Sequence, residues 1–542
     1  MQHVSGATQH LLQRLFDLTS KTSWFFQADR DADMVNILGQ VANQGEAAAV
    51  SGMVNCLFSP SPEVKAAASR AIHRLLDRLP PERLQYLSDT VRESWGWHIW
   101  DSWERLEPAD IQALIIEDSS RNSVLGLLSF HRSGYVRHEA VRLLVRSHDG
   151  GELPYLLIRQ NDWVEPIRAE ASRAVQARIV ESYLPHFLSN LPPLVHLLAA
   201  RRQDHSDLVR RVIRMLVRPE HDELLARAIH SPNATVRRSV VRLALEAEDE
   251  HRPRVIEHAL SSTDGLIRLW GTGHVRPHFS GGALEGILGS LRRDSFMPVR
   301  REASIILAAG APDSGREVWR DALLDGSVSM RELARFYLGR MGEVCWPSVY
   351  RLALIEQPQS LVALDGLGET GGQSDLVVIR GYLASPLPSR RRAAVRALAK
   401  MGGRSVVADL HVSLLDDSPA VIREVRRQLE AFPYALDAER LCRVAGEDPR
   451  QNVREAALRL IHATGKWRSL AWLIRASLNR DRSTAGLAQE LISSWFTPPR
   501  CNRVFTRPSS DERQAIAGAL DDCRPGMEES FLRKLDTWLK ES

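Results

Sequence analysis

The chain has 542 residues, of which 44% are hydrophobic and 25% charged, a composition close to that of average soluble proteins. Such a composition excludes a wholly disordered or collagen-like chain, and the length allows either several ordinary domains or one long repeat array. With 71 basic and 67 acidic residues the formal net charge is only +4, which excludes a uniformly basic coat for nucleic acid, so any basic surface must be local.

The N-terminal segment, residues 1–60, contains amphipathic stretches without an internal repeat, and we expect a helical cap there. It lacks the apolar run behind a basic start that is typical of a secretory signal. Nowhere in the chain is there an uncharged stretch of about 18 apolar residues that would predict a membrane span. The sequence therefore predicts a cytoplasmic protein without a membrane segment.

Residues 61–130 are predicted to form irregular helical repeats that contain a cluster of tryptophans, SWGWHIWDSW at 94–103. Trp97, Trp100 and Trp103 fall on one side of the predicted helix. The cluster is either a large core that seals the N-terminal repeats or an exposed stripe that binds a partner. On the second interpretation Trp97 and Trp100 are contact residues for a protein partner.

A repeat occupies residues 131–496, as SGYVRHEAVRLL at 133–144 and RQNVREAALRLI at 450–461 illustrate. Each copy places an arginine after a short turn, and most of these arginines are 31 or 32 residues apart. Such a period holds two helices and their turns, which cannot bury their own apolar face and are stable only when stacked. The arginines predicted to hold the repeats together, here called anchor arginines, are Arg137, Arg168, Arg210, Arg237, Arg268, Arg300, Arg331, Arg391, Arg423 and Arg454.

Two irregular spacings interrupt the repeat. The step from Arg168 to Arg210 is 42 residues, which predicts an insertion around 184–194 or altered helix lengths. The step from Arg331 to Arg391 is 60 residues and leaves room for one repeat without an arginine. The segment SLVALDGLGETGG at 360–372 fills that place, so we expect the array to continue there.

Glycines are predicted to end the second helices of the repeats in the left-handed conformation, at Gly342, Gly371, Gly402 and Gly465. The run GLGETGG also matches the glycine spacing of a dinucleotide-binding loop, which requires a preceding strand. Because it aligns with ALAKMGG at 397–403, 31 residues further on, we expect a helix end instead. After the array, residues 497–542 are predicted to form a loop and a C-terminal helical cap.

The recurrent turn, the apolar residue before the anchor arginine and the alanine-rich second helix resemble the HEAT-like repeat family, in particular its bacterial, phycobilin-lyase-like type. This resemblance extends over about residues 60–495. It implies an all-α solenoid, a superhelix of helical hairpins whose second helices line the concave face. It also implies a structural role for the anchor arginines, which would tie neighbouring repeats together.

The segment from Leu376 to Ala408 contains no acidic residue but seven cations. One of them, Arg391, is a predicted anchor arginine. The other six are candidates for binding a phosphate or a protein partner. They are Arg380, Arg390, Arg392, Arg396, Lys400 and Arg404. A weaker basic patch contains Arg201, Arg202, Arg210, Arg211, Arg214 and Arg218.

A second arginine column lies five residues after the anchor position, and it predicts either a basic track or a row of solvated ion pairs within single helices. Most of its members have a carboxylate within helical reach, as in the pairs Glu139 with Arg142, Glu170 with Arg173, Arg242 with Glu246, and Glu455 with Arg459. The column is Arg70, Arg142, Arg173, Arg242, Arg396 and Arg459.

No catalytic motif, phosphate loop or metal-ligand spacing is present in the sequence, and the five cysteines lie far apart. The sequence therefore predicts no cofactor, no metal and no enzyme activity. The predicted function is a scaffold that binds a protein partner on its concave surface. Two alternatives stay open: binding of a nucleic-acid backbone by a concave arginine-rich track, and a lyase or chaperone-type subunit of the phycobilin-lyase-like group.

Overall fold

The computed structural model describes residues 4–20, 27–93, 101–246, 249–310, 312–498 and 506–540. Within these ranges the chain forms α-helices and short 3-10 helices and contains no β-strand. Helical hairpins follow one another along the chain, which confirms the predicted all-α solenoid. In the same ranges, no helix is both long and apolar enough to cross a membrane.

The chain divides into two compact units, Met1–Ala303 and Ser304–Ser542. The helices of the first unit are α1 (Gly6–Ser20), α2 (Gln27–Gln44), α3 (Val50–Met53), α4 (Pro62–Asp77), α5 (Pro81–Glu93), α6 (Asp101–Glu104), α7 (Ile111–Leu114), α8 (Arg121–Leu128), α9 (Gly134–Leu144), α10 (Leu153–Arg159), α11 (Glu165–Ala177), α12 (Leu184–Ser189), α13 (Leu191–His196), α14 (Ser206–Leu216), α15 (Asp222–Ile229), α16 (Ala234–Leu245), α17 (Arg252–Leu260), α18 (Gly265–Gly273), α19 (Val275–His278) and α20 (Gly281–Leu291).

The unit boundary falls within α21 (Met297–Ala308). The second unit continues with α22 (Pro312–Ala322), α23 (Val328–Arg340), α24 (Trp346–Glu356), α25 (Leu361–Thr370), α26 (Leu376–Gly381), α27 (Pro388–Gly402), α28 (Val407–Ser413), α29 (Pro419–Leu429), α30 (Ala438–Glu447), α31 (Gln451–Ala463), α32 (Lys466–Ala476), α33 (Arg482–Phe496), α34 (Ser510–Cys523) and α35 (Glu529–Lys540).

Short polar side chains start several of the second helices. Asn233 Oδ1 accepts the backbone N–H of Thr235 at 3.0 Å where α16 begins, and Asp481 Oδ2 accepts that of Thr484 at 2.9 Å where α33 begins. These bonds satisfy amide groups that have no partner inside the helix. Local sequence therefore helps to fix where these two helices start.

The second helices of the second unit pack in series, α25 on α27, α27 on α29, α29 on α31 and α31 on α33. Small residues allow the close approach of α25 and α27: a Cβ atom added to Gly368 would lie 2.5 Å from the Cα atom of Ala397. The glycines of GLGETGG thus lie in and after a helix that packs on its neighbours. The predicted repeat without an anchor arginine is confirmed as α24 and α25.

The structure explains the irregular spacing at 184–218 and tests the predicted conformation of the glycines at the helix ends. The first helix of the repeat at 184–218 is split into α12 and α13, which accounts for the long spacing there. Gly342 and Gly465 have the predicted positive φ, at 90° and 111°. The prediction is wrong for Gly371 and Gly402, whose φ angles are −72° and −92°.

Candidate functional site

The anchor arginines join consecutive turns, and Arg391 shows the geometry. Its Nη1 donates to the carbonyl oxygen of Ser385 in its own turn at 2.8 Å. Its Nε and Nη2 donate to the carboxylate of Asp416 in the next turn at 2.6 and 2.8 Å. Asp416 also accepts the backbone N–H of Ser418 at 2.7 Å. One planar guanidinium thereby links two turns through a bidentate, charge-assisted contact.

Four other anchor arginines make the same two kinds of contact: Arg137 with Asp162, Arg237 with Asp264, Arg268 with Asp294, and Arg454 with Asp481. Arg168, Arg300 and Arg331 also donate to a carbonyl of their own turn, at 2.8, 2.8 and 2.7 Å. Arg331 reaches Glu369 on α25 instead of an aspartate in the next turn. Arg210 is exposed and lies 3.8 Å from Glu246.

Arg423 lies one residue beyond the anchor position, where the structure has the buried Ile422. Because Ile422 has no guanidinium, Arg450 of the next repeat links the two turns instead, reaching back to the preceding turn. Its Nη1 donates to the carbonyl oxygens of Leu415 and Asp416 at 3.0 and 3.2 Å, and its Nε and Nη2 bind the carboxylate of Asp448 at 3.0 and 2.9 Å. The sequence alignment placed Arg423 in the wrong register because an apolar residue precedes it, as in the other repeats.

The basic segment at 376–408 receives its counter-charges from neighbouring repeats. Arg380 pairs with Asp409 at 3.0 Å, Arg396 with Asp365 at 3.0 Å, and Lys400 approaches Glu369 at 3.9 Å. In the described part of the chain, Arg390, Arg392 and Arg404 have no carboxylate within 4 Å, and Arg392 and Arg404 are exposed. The six predicted binding residues therefore do not form one uniformly positive patch.

Second helices α23, α25, α27 and α29 border a groove of about 600 Å³ in the second unit. We call it the second-helix groove. Five cations and three carboxylates line it: Arg331, Arg392, Arg396, Lys400, Arg427, Asp365, Glu369 and Glu424. It brings Arg392, Arg396 and Lys400 together, whereas Arg380, Arg390 and Arg404 are not among its lining residues.

Glu369 is the most strongly held carboxylate of the second-helix groove. It pairs with Arg331, accepts a hydrogen bond from Arg335 at 2.9 Å and lies 3.9 Å from Lys400. Burial by itself raises the pKa of the Glu369 carboxyl, but the hydrogen bonds and charges of these cations bring the pKa below its ordinary value. This carboxylate therefore stays ionised and offsets positive charge in the wall of the groove.

The second arginine column does not form the row of ion pairs expected within single helices. Only Arg142 makes the predicted contact, with Glu139 at 2.7 Å, among the column members that the structure describes. The other carboxylates pair elsewhere: Glu170 with His138, Glu246 with Arg210, and Glu455 with Gln451. Arg173, Arg242 and Arg459 are exposed.

Trp103 is buried and lies 4.8 Å from the ring of His131, and its carbonyl oxygen is 2.8 Å from His131 Nε2. This end of the tryptophan cluster belongs to the core. Trp97 and Trp100 lie outside the described residues, so the two interpretations of the cluster stay open for them.

Sequence reasoning missed an exposed aliphatic surface on the first helices of the second unit. Leu352 and Ile355 on α24, Val377 on α26 and Val412 on α28 are between 56% and 75% exposed. The signal was present as short apolar runs such as LALI at 352–355. With 3.6 residues per turn, four successive residues spread around the helix and cannot all face the core. We call these four residues the first-helix aliphatic surface.

Comparison with known proteins supports a HEAT-like repeat architecture. Residues 376–462 match the family model described as HEAT repeats, a segment that includes Arg391 and the contacts between Arg450 and the preceding turn. No curated protein matches the chain. In the described part of the chain, no group of three or more histidine, cysteine, aspartate or glutamate side chains is placed to hold a metal ion.

Several solved structures are similar over most of this chain. Importin beta aligns with 90% of it at 12% identity and a TM-score of 0.34, and this chain spans 61% of the importin beta chain. A homology model of the AP-3 complex aligns at 11% identity and a TM-score of 0.31, covering 98% of this chain and 92% of the other. A Kap121p mutant aligns at 12% identity and a TM-score of 0.27, covering 97% and 56%.

Proposed function

We propose that this protein is a non-enzymatic scaffold that binds an acidic segment of a protein partner along the second-helix groove. The observation that supports the proposal most is the groove itself, which extends over four successive second helices and is lined by more cations than carboxylates. Stacked repeats present such extended surfaces to partners, and the HEAT-like resemblance predicts that second helices line the concave side.

The charges of the groove favour an acidic protein segment over a nucleic-acid backbone. Arg396 and Lys400 already lie near Asp365 and Glu369, and Glu424 lies 3.9 Å from Arg396. The phosphates of a nucleic-acid backbone are regularly spaced anions. Several of them would lie close to these fixed carboxylates and be repelled by them. A protein segment can place its own acidic and polar side chains to match this mixed pattern.

Charge reversal at the groove tests the proposal. We expect the double variant R392E/R427E to lose a partner that the wild-type chain captures from its native host after nuclease treatment. The matched control is R404E/R423E, which reverses two exposed arginines that do not line the groove. The control should retain the partner, because it leaves the lining of the groove unchanged while changing the net charge by the same amount as the test variant.

Three results would contradict the proposal. Equal capture of the partner by R392E/R427E and the wild type would show that the groove is not part of the interface. Loss of the partner in I355E, with R392E/R427E unaffected, would place the interface on the first-helix aliphatic surface. Recovery of nucleic acid alone, with binding that falls steeply as salt rises, would favour the nucleic-acid alternative. The lyase-type alternative stays a prediction, and transfer of a bilin to an acceptor protein would support it.

A further inference from the structure

A small basic cavity lies in the first unit, away from the second-helix groove. Its volume is about 290 Å³, and its lining consists of Ile179, Arg211, Arg214, Met215, Val217, Arg218 and His251. No carboxylate belongs to this lining. We call this the α14 cavity, because α14 supplies Arg211, Arg214 and Met215 of its lining.

The cations of the α14 cavity converge because of their spacing on the chain. Arg211 and Arg214 are three residues apart on α14 and therefore share one side of the helix, and Arg218 follows four residues later, just beyond the helix end. Val212, Ile213 and Leu216 are buried on the opposite side and hold α14 in place. The direction of these guanidinium groups is thus set by the core packing of the same helix.

Two of the three cavity arginines are not neutralised. Arg218 pairs with Glu181 at 3.0 Å, and His251 lies 3.2 Å from Glu250. By contrast, Arg211 and Arg214 have neither a hydrogen bond nor an ion pair from their side chains in the described part of the chain, and both are exposed. The cavity therefore offers two free guanidinium groups, each with several N–H donors.

We propose that the α14 cavity binds a phosphomonoester. Two free guanidinium groups match the charge of a phosphate dianion and can donate to its oxygens in the bidentate manner that arginine favours. The apolar side chains of Ile179, Met215 and Val217 line the rest of the cavity and suit the short carbon arm of the ester. A small cavity with two free guanidinium groups suits a single phosphoryl group better than a nucleic-acid backbone, which needs a row of cations.

Titration of the full-length chain with inorganic phosphate, and with a phosphoserine peptide, tests the site. We expect one phosphate-binding site per chain at low ionic strength. In R211Q/R214Q we expect the dissociation constant to rise about tenfold or more, because two charge-assisted contacts are lost. The matched control, R201Q/R210Q, also removes two exposed arginines, neither of which lines the cavity, and it should bind within about twofold of the wild type.

The two probes separate the possible sources of the phosphomonoester. Tighter binding of the phosphoserine peptide than of phosphate, with no binding of the unphosphorylated peptide, would support the site with a modified protein as its ligand. Binding of phosphate but not of the peptide would support it with a small free phosphate as its ligand. The absence of binding by both probes, or equal affinities for the wild type and R211Q/R214Q, would overturn the proposal. Circular dichroism melting shows whether the variants are folded.

Discussion

At the scale of the residue, the anchor arginines differ from ordinary surface arginines in what their removal would leave behind. Arg391 and Asp416 have side chains that are only 16% and 11% exposed. Loss of the guanidinium would strand the Asp416 carboxylate and the Ser385 carbonyl oxygen in a site with little access to water. The penalty for such stranded groups exceeds the net value of the bonds themselves.

We therefore expect Arg391→Met to lower the free energy of unfolding by about 2–3 kcal/mol. Arg423→Met is the matched control, because Arg423 is exposed and lies outside the anchor position. It should change the free energy of unfolding by less than about 0.5 kcal/mol. Urea denaturation of both variants measures the difference, and equal effects would show that the anchor contact contributes nothing specific.

The carboxylates of the turns make stability depend on pH. For Asp416, burial by itself raises the pKa, but the hydrogen bonds from Arg391 and Ser418 and the charge of Arg391 bring it below its ordinary value. Hydrogen bonds from the Thr484 side chain, from Arg454 and from the Thr484 backbone lower the pKa of Asp481 to about 2. A carboxyl whose pKa is lowered by folding stabilises the fold above its unfolded pKa, and this contribution is lost as the pH falls through the folded pKa.

Buried histidines add a second contribution at higher pH. Burial lowers the pKa of His131, of His205 and of His411, because it disfavours the charged imidazolium. The unfolded chain therefore takes up these protons first, and stability declines as the pH falls below the ordinary histidine pKa of about 6.5.

Together, these groups predict a decline of stability in two stages. The urea midpoint should fall modestly between pH 7.5 and 5.5, where the histidines contribute, and more steeply from about pH 4 towards pH 2, where the aspartates contribute. Urea denaturation at pH 7.5, 5.5 and 3 measures both stages. A midpoint that stays constant over this range would contradict the assigned pKa directions.

At the scale of the element, the contact between successive turns can be made from either side. In five repeats the anchor arginine donates forward to the next turn, whereas Arg450 donates backward to the turn that precedes Ile422. Both arrangements satisfy a turn carbonyl and an aspartate with one guanidinium. Comparison of the repeats finds the recurrent position of the arginine. It does not find the contact that Arg450 makes with the preceding turn, because Arg450 and that turn are far apart in sequence and neighbours only in space.

This backward contact predicts a coupling between positions 422 and 450. Arg450→Met should destabilise the fold by about 1–2 kcal/mol, because it strands Asp448 and the carbonyl oxygens of Leu415 and Asp416. Ile422→Arg should be less harmful in that background than in the wild type, where Arg450 already occupies the acceptors. A double-mutant cycle by urea denaturation should give a favourable coupling of about 1 kcal/mol or more. Strictly additive effects would refute this coupling.

The sequence predicted the elements better than the site. Turn residues and the anchor arginines repeat along the chain, so local patterns located the helix pairs, including α25, which has no arginine. Charge pairing across repeats is not local. The cations Arg396 and Lys400 looked free because no acid lies near them in sequence, yet Asp365 and Glu369 of the preceding repeat lie beside them.

At the scale of the whole molecule, the net charge is only +4, but charged side chains are distributed differently at the two proposed binding sites. The second-helix groove in one unit mixes cations with carboxylates, whereas the α14 cavity in the other unit has no carboxylate in its lining. Because repeat arrays are stabilised mainly between neighbouring repeats, changes at one of these sites should leave the stability of the other unit unaffected.

Binding of the partner in the second-helix groove can be measured by hydrogen–deuterium exchange of the full-length chain with and without its captured partner. We expect slower exchange on partner binding in α23, α25, α27 and α29, with exchange in α24, α26 and α28 little changed. Slower exchange confined to α24, α26 and α28, or to the first unit, would show that the partner binds elsewhere.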